Sequence, residues 1–179
     1  MNKKILLHLA IVQLLQGMEF IEEEKVITLA TEQLIVELCK KNSCKSENVR
    51  DLLEIGAPAE FSRPGMPSSL EFSLKHCKAD VFKKLLDKCN INQRKFGSKA
   101  HLLNLALEFC EKNCTQDYLE KIKAIIRKNP NGFNHETRMF FLNRDITLVG
   151  YANDKGLNLM NLREEVLNEQ NQSYSFFLN

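Results

Sequence analysis

Tryptophan is absent from this 179-residue chain, and glycine and proline number only 7 and 4. So little of either excludes a collagen-like chain or a Pro/Gly-rich disordered one. No charge of one sign dominates, since 25 Lys and Arg face 23 Asp and Glu for a net charge of +2. That balance gives no strong pull toward nucleic acid or an anionic membrane. Long apolar runs are also lacking. The best candidate, Ile5 to Leu15, is broken by His8 and Gln13 and is too short to span a bilayer. No integral membrane segment is expected. Lys3 and Lys4 before that run resemble the start of a secretory signal, but no A-x-A cleavage site follows.

The patterns that carry chemistry are equally sparse. Gly65, Gly97, Gly132, Gly150 and Gly156 stand singly, so no glycine-rich loop cradles a phosphate. Structural zinc needs two ligand pairs at close spacing. Here Cys39 and Cys44 are too far apart, Cys110-x3-Cys114 has no second pair, and His76 and Cys77 are adjacent and point apart on a helix. His8, His101 and His135 add no pair, so no metal or other cofactor is expected. Cys77 and Cys89 lie beside Lys75, Lys78, Lys83, Lys84 and Lys88, which favours a thiolate. Both fall at expected helix ends, however, which are structural positions. Glu22 to Glu24 and Glu164-Glu165 are contiguous and read as solvated faces. No catalytic residue is assigned and no enzyme is expected. The alternative reading is a helical enzyme, or a fragment of one, with a cysteine-based site. The six cysteines read as reduced apolar fillers.

What the chain does have is helical periodicity from end to end, with strand alternation almost missing. Ile5, Leu6, Leu9, Val12 and Leu15 predict an amphipathic helix that caps a core. Glu24 to Lys41 carries Val26, Ile27, Leu29, Ala30, Leu34, Ile35 and Leu38 as one packed stripe. Ser46-Glu47-Asn48 reads as a cap before a helix over 49–55, stopped by Gly56. Breakers at 56–67, 90–97 and 129–134 then separate helix pairs at 67–77 with 79–89, 99–113 with 116–128, and 147–154 with 157–170.

One constant offset along the chain superposes Val49 on Phe82, Leu52 on Leu85, Leu53 on Leu86 and Gly56 on Cys89. The same offset carries Leu70, Phe72, Ser73 and Leu74 onto Leu103, Leu105, Ala106 and Leu107. Leu85-Leu86 map onto Ile125-Ile126 only with a larger offset, so the third unit is longer. A helix pair at a fixed period buries its apolar face only by stacking on its neighbours.

These residues resemble the ankyrin repeat. Val49-Arg-Asp-Leu-Leu-Glu-Ile-Gly-Ala57 is similar to the second-helix ending of that family. Ser68-Ser-Leu-Glu-Phe-Ser-Leu74 occupies the place of its T-P-L-H-x-A-A helix, and Ala79 to Asp87 follows as the second helix. Asn90-Ile-Asn92 resembles the finger entry. His101 to Leu107 with Ile122 to Arg127, then Thr147 to Ala152 with Leu157 to Leu162, resemble two further units. No unit keeps an intact T-P-L-H, and Cys89 stands where the helix-ending glycine belongs. The resemblance implies an all-α, ankyrin-like solenoid of stacked helix pairs with irregular repeats. Capping helices would occupy 1–44, about four degenerate repeats 45–170, and a flexible C-terminal tail 171–179.

The same resemblance implies a protein–protein interaction module that binds through its loops and concave face. Arg63 and Met66, then Arg94, Lys95 and Phe96, then Phe133, His135 and Arg138 lie in the three loop stretches. Arginine and aromatic side chains are enriched in binding hot spots. The competing reading for Phe133 and Phe96 is closure of the apolar layer beneath each loop. The partner is another protein rather than nucleic acid, and the chain alone is expected to be a monomer. With 17 Asn, and 18 Lys against 7 Arg, the composition fits an A/T-rich genome. Divergent ankyrin repeats in that setting resemble effectors of intracellular bacteria or large DNA viruses, cytoplasmic or secreted into a host cell.

Overall fold

A computed structural model describes residues 24–61, 67–89, 101–110, 114–134, 136–137 and 146–176. Among these residues every regular element is a helix. The first, α1 (24–39), runs into a 3-10 turn at Lys41–Ser43. Then follow α2 (Ser46–Glu54), α3 (Ser69–His76), α4 (Ala79–Lys88), α5 (His101–Phe109), α6 (Gln116–Lys128), α7 (Leu148–Asp154) and α8 (Leu159–Phe176). The amphipathic helix expected over residues 1–20 lies outside the described residues.

The helix starts follow local chemistry. Ser68 and Glu71 form a reciprocal capping box at α3, which satisfies two of the amides a helix start leaves unpaired. Thr115 caps α6 by accepting from the Tyr118 amide at 3.4 Å, and Thr147 caps α7 by accepting from the Gly150 amide at 3.1 Å. At α2 the capping residue is Lys45, one position before the expected serine, and its side chain makes no capping bond. Its amide instead donates to Glu37 Oε1 of α1 at 2.9 Å, so the start of α2 is tied to the preceding helix. Burial raises the Glu37 pKa, but hydrogen bonds from Lys40, the Lys45 amide and Asn48 outweigh it and hold the carboxyl below its ordinary value.

Tertiary packing repeats in a fixed order. Helices α3 and α4 pack as a pair, as do α5 and α6, and α7 and α8. Between pairs, α4 lies against both α2 and α6, and α6 against both α4 and α8. Likewise α5 contacts α3 and α7. Ion pairs give the direction of the second helices: Lys83 meets Glu120 at 2.6 Å, Lys123 meets Glu165 at 2.9 Å, and Arg127 meets Glu169 at 2.7 Å. With Lys128 Nζ donating to the Asp87 carbonyl, these contacts ascend together along the chain, so α4, α6 and α8 run parallel.

Residues matched by the constant offset share their surroundings. Val49 and Phe82, Leu52 and Leu85, Leu53 and Leu86 are all buried, as are Leu70 and Leu103, Ser73 and Ala106, Leu74 and Leu107. Phe72 and Leu105 are both half-buried against the core. Ile125 and Ile126, reached by the larger offset, are buried too.

Four expectations need correction. The stripe on α1 is narrower than its composition implies: Ala30, Leu34 and Leu38 are buried, whereas Val26, Ile27 and Leu29 are 50%, 40% and 57% exposed. Only one face of α1 meets the other described helices. The six cysteines are not all free, because Cys110 and Cys114 form a disulfide, with Cα atoms 5.1 Å apart. Cys110 follows the last turn of α5 and Cys114 precedes the Thr115 cap of α6, so the short connection returns on itself. Helix α8 continues past 170 to Phe176, where the sequence implies a tail. Glu169 and Gln170 hold it to α6, through Arg127 and the Arg127 carbonyl respectively. The fourth concerns Cys89. Gly56 ends α2 with φ +110° and Gly156 ends α7 with φ +77°, each followed by an amide that reaches back along its helix, Ala57 to the Leu52 carbonyl and Leu157 to that of Ala152. Cys89 has φ −85° and ψ 139°, an extended exit that requires no glycine.

Candidate partner-binding surface

Of the eight residues assigned to partner binding, Arg63, Met66, Arg94, Lys95, Phe96, His135 and Arg138 lie outside the described residues. Phe133 is described and is 4% exposed within the shared core. It closes the apolar layer beneath its loop and offers no face to a partner, which corrects its assignment as a binding residue. Phe61 is half-buried against the same core.

The long connections still share one location in the topology. Each joins the end of a second helix to the start of the next first helix: α2 to α3, α4 to α5, α6 to α7. Since α4 and α6 are parallel, the latter two connections leave from the same side of the molecule. Two connections are closed at the base by backbone bonds. The Ser69 amide donates to the Phe61 carbonyl at 2.9 Å, and the Ser69 hydroxyl donates to the Ala59 carbonyl at 2.8 Å. The Leu148 amide donates to the Thr137 carbonyl at 2.7 Å. Each closure fixes both ends of a loop whose middle is thereby free to vary in sequence without disturbing the helices.

The sequence reading missed a second feature, on the first helices themselves. The constant offset, followed by a longer one into the next unit, carries Phe72 to Leu105 to Tyr151, and His76 to Phe109 to Lys155. Phe72, Leu105, Phe109 and Tyr151 are all half-buried, packed on the core while keeping one edge outward. The Phe72 and His76 rings lie 4.8 Å apart, tilted by 48°. Lys75 Nζ sits 5.2 Å from the centre of the Phe109 ring, and Lys155 Nζ 5.4 Å from that of Tyr151. Cations over ring faces at this range are attracted by the ring quadrupole. Partial burial lowers the His76 pKa, and Lys41, Lys75 and Lys121 push it the same way, so the imidazole favours its neutral form. The row therefore alternates aromatic edges with fixed lysine charges. Extending the offset past the core positions to their exposed neighbours would have revealed it.

Buried polar contacts hold this row in register. The Lys121 side chain of α6 is 2% exposed. It donates to the Leu74 carbonyl at 3.1 Å and to the Cys77 carbonyl, pairs with Asp117 at 2.8 Å, and lies 4.6 Å from the Tyr118 ring centre. One ammonium thus caps the C-terminal end of α3, while Asp117 accepts from the Ala79 amide at the start of α4 at 2.7 Å. Lys155, just past the end of α7, donates to the Cys110 carbonyl at 2.7 Å, so an ammonium also meets the C-terminal end of α5. Cys77 and Cys110 supply the carbonyls beneath these caps, Cys44 precedes Cys77 by the same spacing, and all three are buried. The Cys44 thiol donates to the Cys77 sulfur, which together with burial pushes the Cys44 pKa well above its ordinary value.

Among the described residues no cluster of His, Cys, Asp and Glu is suited to hold a metal ion, and no helix is long and apolar enough to cross a membrane. Comparison of the chain with protein-family models, with curated proteins and with solved structures gives no match in any of the three.

Proposed function

We propose that this chain is a protein-binding module built as an ankyrin-like solenoid, whose first-helix face and long connections grip another protein. The observation that carries the reading is the row of half-buried aromatics repeated on α3, α5 and α7. A residue packed on one side and open on the other presents a rigid anchor, and anchors of this kind dominate interface energies. The row lies on successive helices that the Lys121 and Lys155 caps hold in place. The connections that lead in sequence into these first helices carry Arg63, Met66, Arg94, Lys95, Phe96, His135 and Arg138. Lys75, Lys155, Arg94 and Lys95 favour an acidic partner surface.

Irregular repeat lengths fit this role, because loops of unequal reach shape a surface for one partner while the helix pairs keep their packing. Cys77 and Cys89, the two cysteines beside the lysine-rich stretch, are buried, which favours binding over a cysteine-based enzyme at either of them. The Asn- and Lys-rich composition fits an A/T-rich genome, and the resemblance to divergent ankyrin repeats in that setting extends the proposal to an effector that acts on host proteins.

Affinity capture with three matched chains tests the proposal. The wild type and an outer-face control, Glu164→Lys, should retain the same partner. A chain with Lys75→Glu, Arg94→Glu and Lys95→Glu should lose it. A partner retained equally by all three contradicts the assigned face.

A further inference from the structure

Cysteines that the proposed binding face does not use meet at the boundary between the first unit and the second. Cys44 closes the 3-10 turn after α1, its amide donating to the Lys41 carbonyl at 3.0 Å. Cys77 ends α3, its amide donating to the Ser73 carbonyl at 3.0 Å. Helix α3 packs against that 3-10 turn, and Cys77 Sγ lies 3.8 Å from the Leu38 carbonyl oxygen near the end of α1. The Cys44 thiol donates to the Cys77 sulfur, so the two side chains touch across the boundary. Repetition explains the meeting, since the constant offset carries Cys44 onto Cys77 and stacking sets like turns side by side. Cys110, the next member of the series, is bonded to Cys114 and is no competitor for Cys77.

The two thiols are unequal. The hydrogen bond from Cys44 and the nearby Lys121 ammonium hold the Cys77 pKa below its ordinary value, although burial opposes them. Lys121 is fixed there, because its Nζ also donates to the Cys77 carbonyl. The same hydrogen bond and burial push the Cys44 pKa up. One sulfur is thus ready to attack, and its neighbour keeps a proton to give. A nucleophilic and a resolving cysteine divide their work in this way.

We propose that Cys44 and Cys77 form a redox-operated lock, which hydrogen peroxide closes as a disulfide that bolts the first unit onto the second. The Cys77 thiolate attacks one peroxide oxygen, the O–O bond breaks, and the departing hydroxide takes a proton and leaves as water. Cys77 is then a sulfenic acid. The Cys44 sulfur attacks the Cys77 sulfur, the S–O bond breaks, and the hydroxyl leaves with the Cys44 proton as a second water. Two thiols lose two electrons, and one peroxide is reduced to two waters. Burial of the pair, at 6% and 1% exposed, admits an oxidant little larger than water and leaves bulky disulfides to the exposed Cys39. The new bond closes a loop that contains α2 and α3, far longer than the Cys110–Cys114 loop, and the stabilisation from a cross-link grows with loop length. The lock needs no partner, so its test leaves the proposed function untouched.

Peptide mapping of the full chain tests it, after treatment of reduced protein at pH 7 with hydrogen peroxide and alkylation of the remaining thiols. A peptide joining Cys44 to Cys77 should appear and should vanish with dithiothreitol. Cys39→Ser should form it unchanged. In Cys44→Ser the Cys77 sulfenic acid has no resolving partner, so unfolding in the presence of dimedone should label it. In Cys77→Ser, Cys44 should stay a thiol. Oxidised wild type should unfold at higher urea than reduced wild type, and Cys44→Ser should show no such rise. The proposal is overturned if peroxide leaves Cys44 and Cys77 as thiols, or if Cys39 takes the place of either in the link. It also fails if the link forms only in unfolded protein, or if Cys44 rather than Cys77 takes the dimedone label.

Discussion

Replacing Lys121 by Met tests the cap that joins α3, α4 and α6. Methionine keeps most of the aliphatic stem and removes the ammonium, so the loss is mainly polar. Two carbonyls, of Leu74 and Cys77, lose their donor in a region where Lys121 is 1% exposed. A buried group left unpaired costs about 1–3 kcal/mol. Asp117 loses its ion partner, but its side chain is 42% exposed and it keeps the Ala79 amide, so water replaces much of that interaction. Two such carbonyls amount to about 2–6 kcal/mol, a range that brackets the roughly 3–5 kcal/mol of a fully buried pair broken on one side. Urea unfolding at pH 7 measures it, as a fall in midpoint with the slope unchanged. Asp117→Asn alone should cost about 1 kcal/mol or less, and the double variant less than the sum, since both act on one network. A Lys121→Met chain within about 0.5 kcal/mol of wild type would refute the reasoning.

Other consequences are quicker to check. Leu53→Ala and Leu86→Ala should each cost roughly 2–5 kcal/mol by urea unfolding, because both residues fill matching core sites. A neutral result at either would break the equivalence of the two units. His76 has a folded pKa below its unfolded value of 6.5, so the unfolded chain takes up the proton first as pH falls. Stability should therefore drop between pH 7 and 5, and His76→Gln should flatten that slope, seen in urea midpoints at the two pH values. Charge reversal at Arg94 and Lys95 should move the thermal midpoint by only a few degrees yet weaken partner binding at least tenfold. Calorimetry and a binding titration separate those two effects.

Helix boundaries were legible because breakers and periodicity agreed with each other. Helix α6 spans 116–128 as its apolar spacing implies, and α3 and α4 begin within two positions of expectation. The constant offset worked for the same reason, since matched core positions must be filled alike for successive pairs to stack. Contacts between units were not legible. Lys121 looks like any surface lysine, and only the approach of α6 to the α3–α4 turn buries it. The Cys110–Cys114 bond was missed because a spacing of four reads as one helix face, whereas a connection between two helices brings these residues together. The proposed binding surface was half-legible. Loop composition pointed to the connections, but it also drew in Phe133, which the core claims. The row of half-buried side chains escaped notice because the residues matched along it are a Phe, a Leu and a Tyr, alike in setting more than in identity.

The central claim is that a partner lies along the first helices, and the exchange footprint of a complex tests it most directly. With the partner captured by the wild-type chain, amide exchange should slow in α3, α5 and α7 and in the connections over 62–66 and 90–100. The second helices α4, α6 and α8 should exchange as in the free protein. Protection confined to those second helices, with α3, α5 and α7 unchanged, would contradict the account.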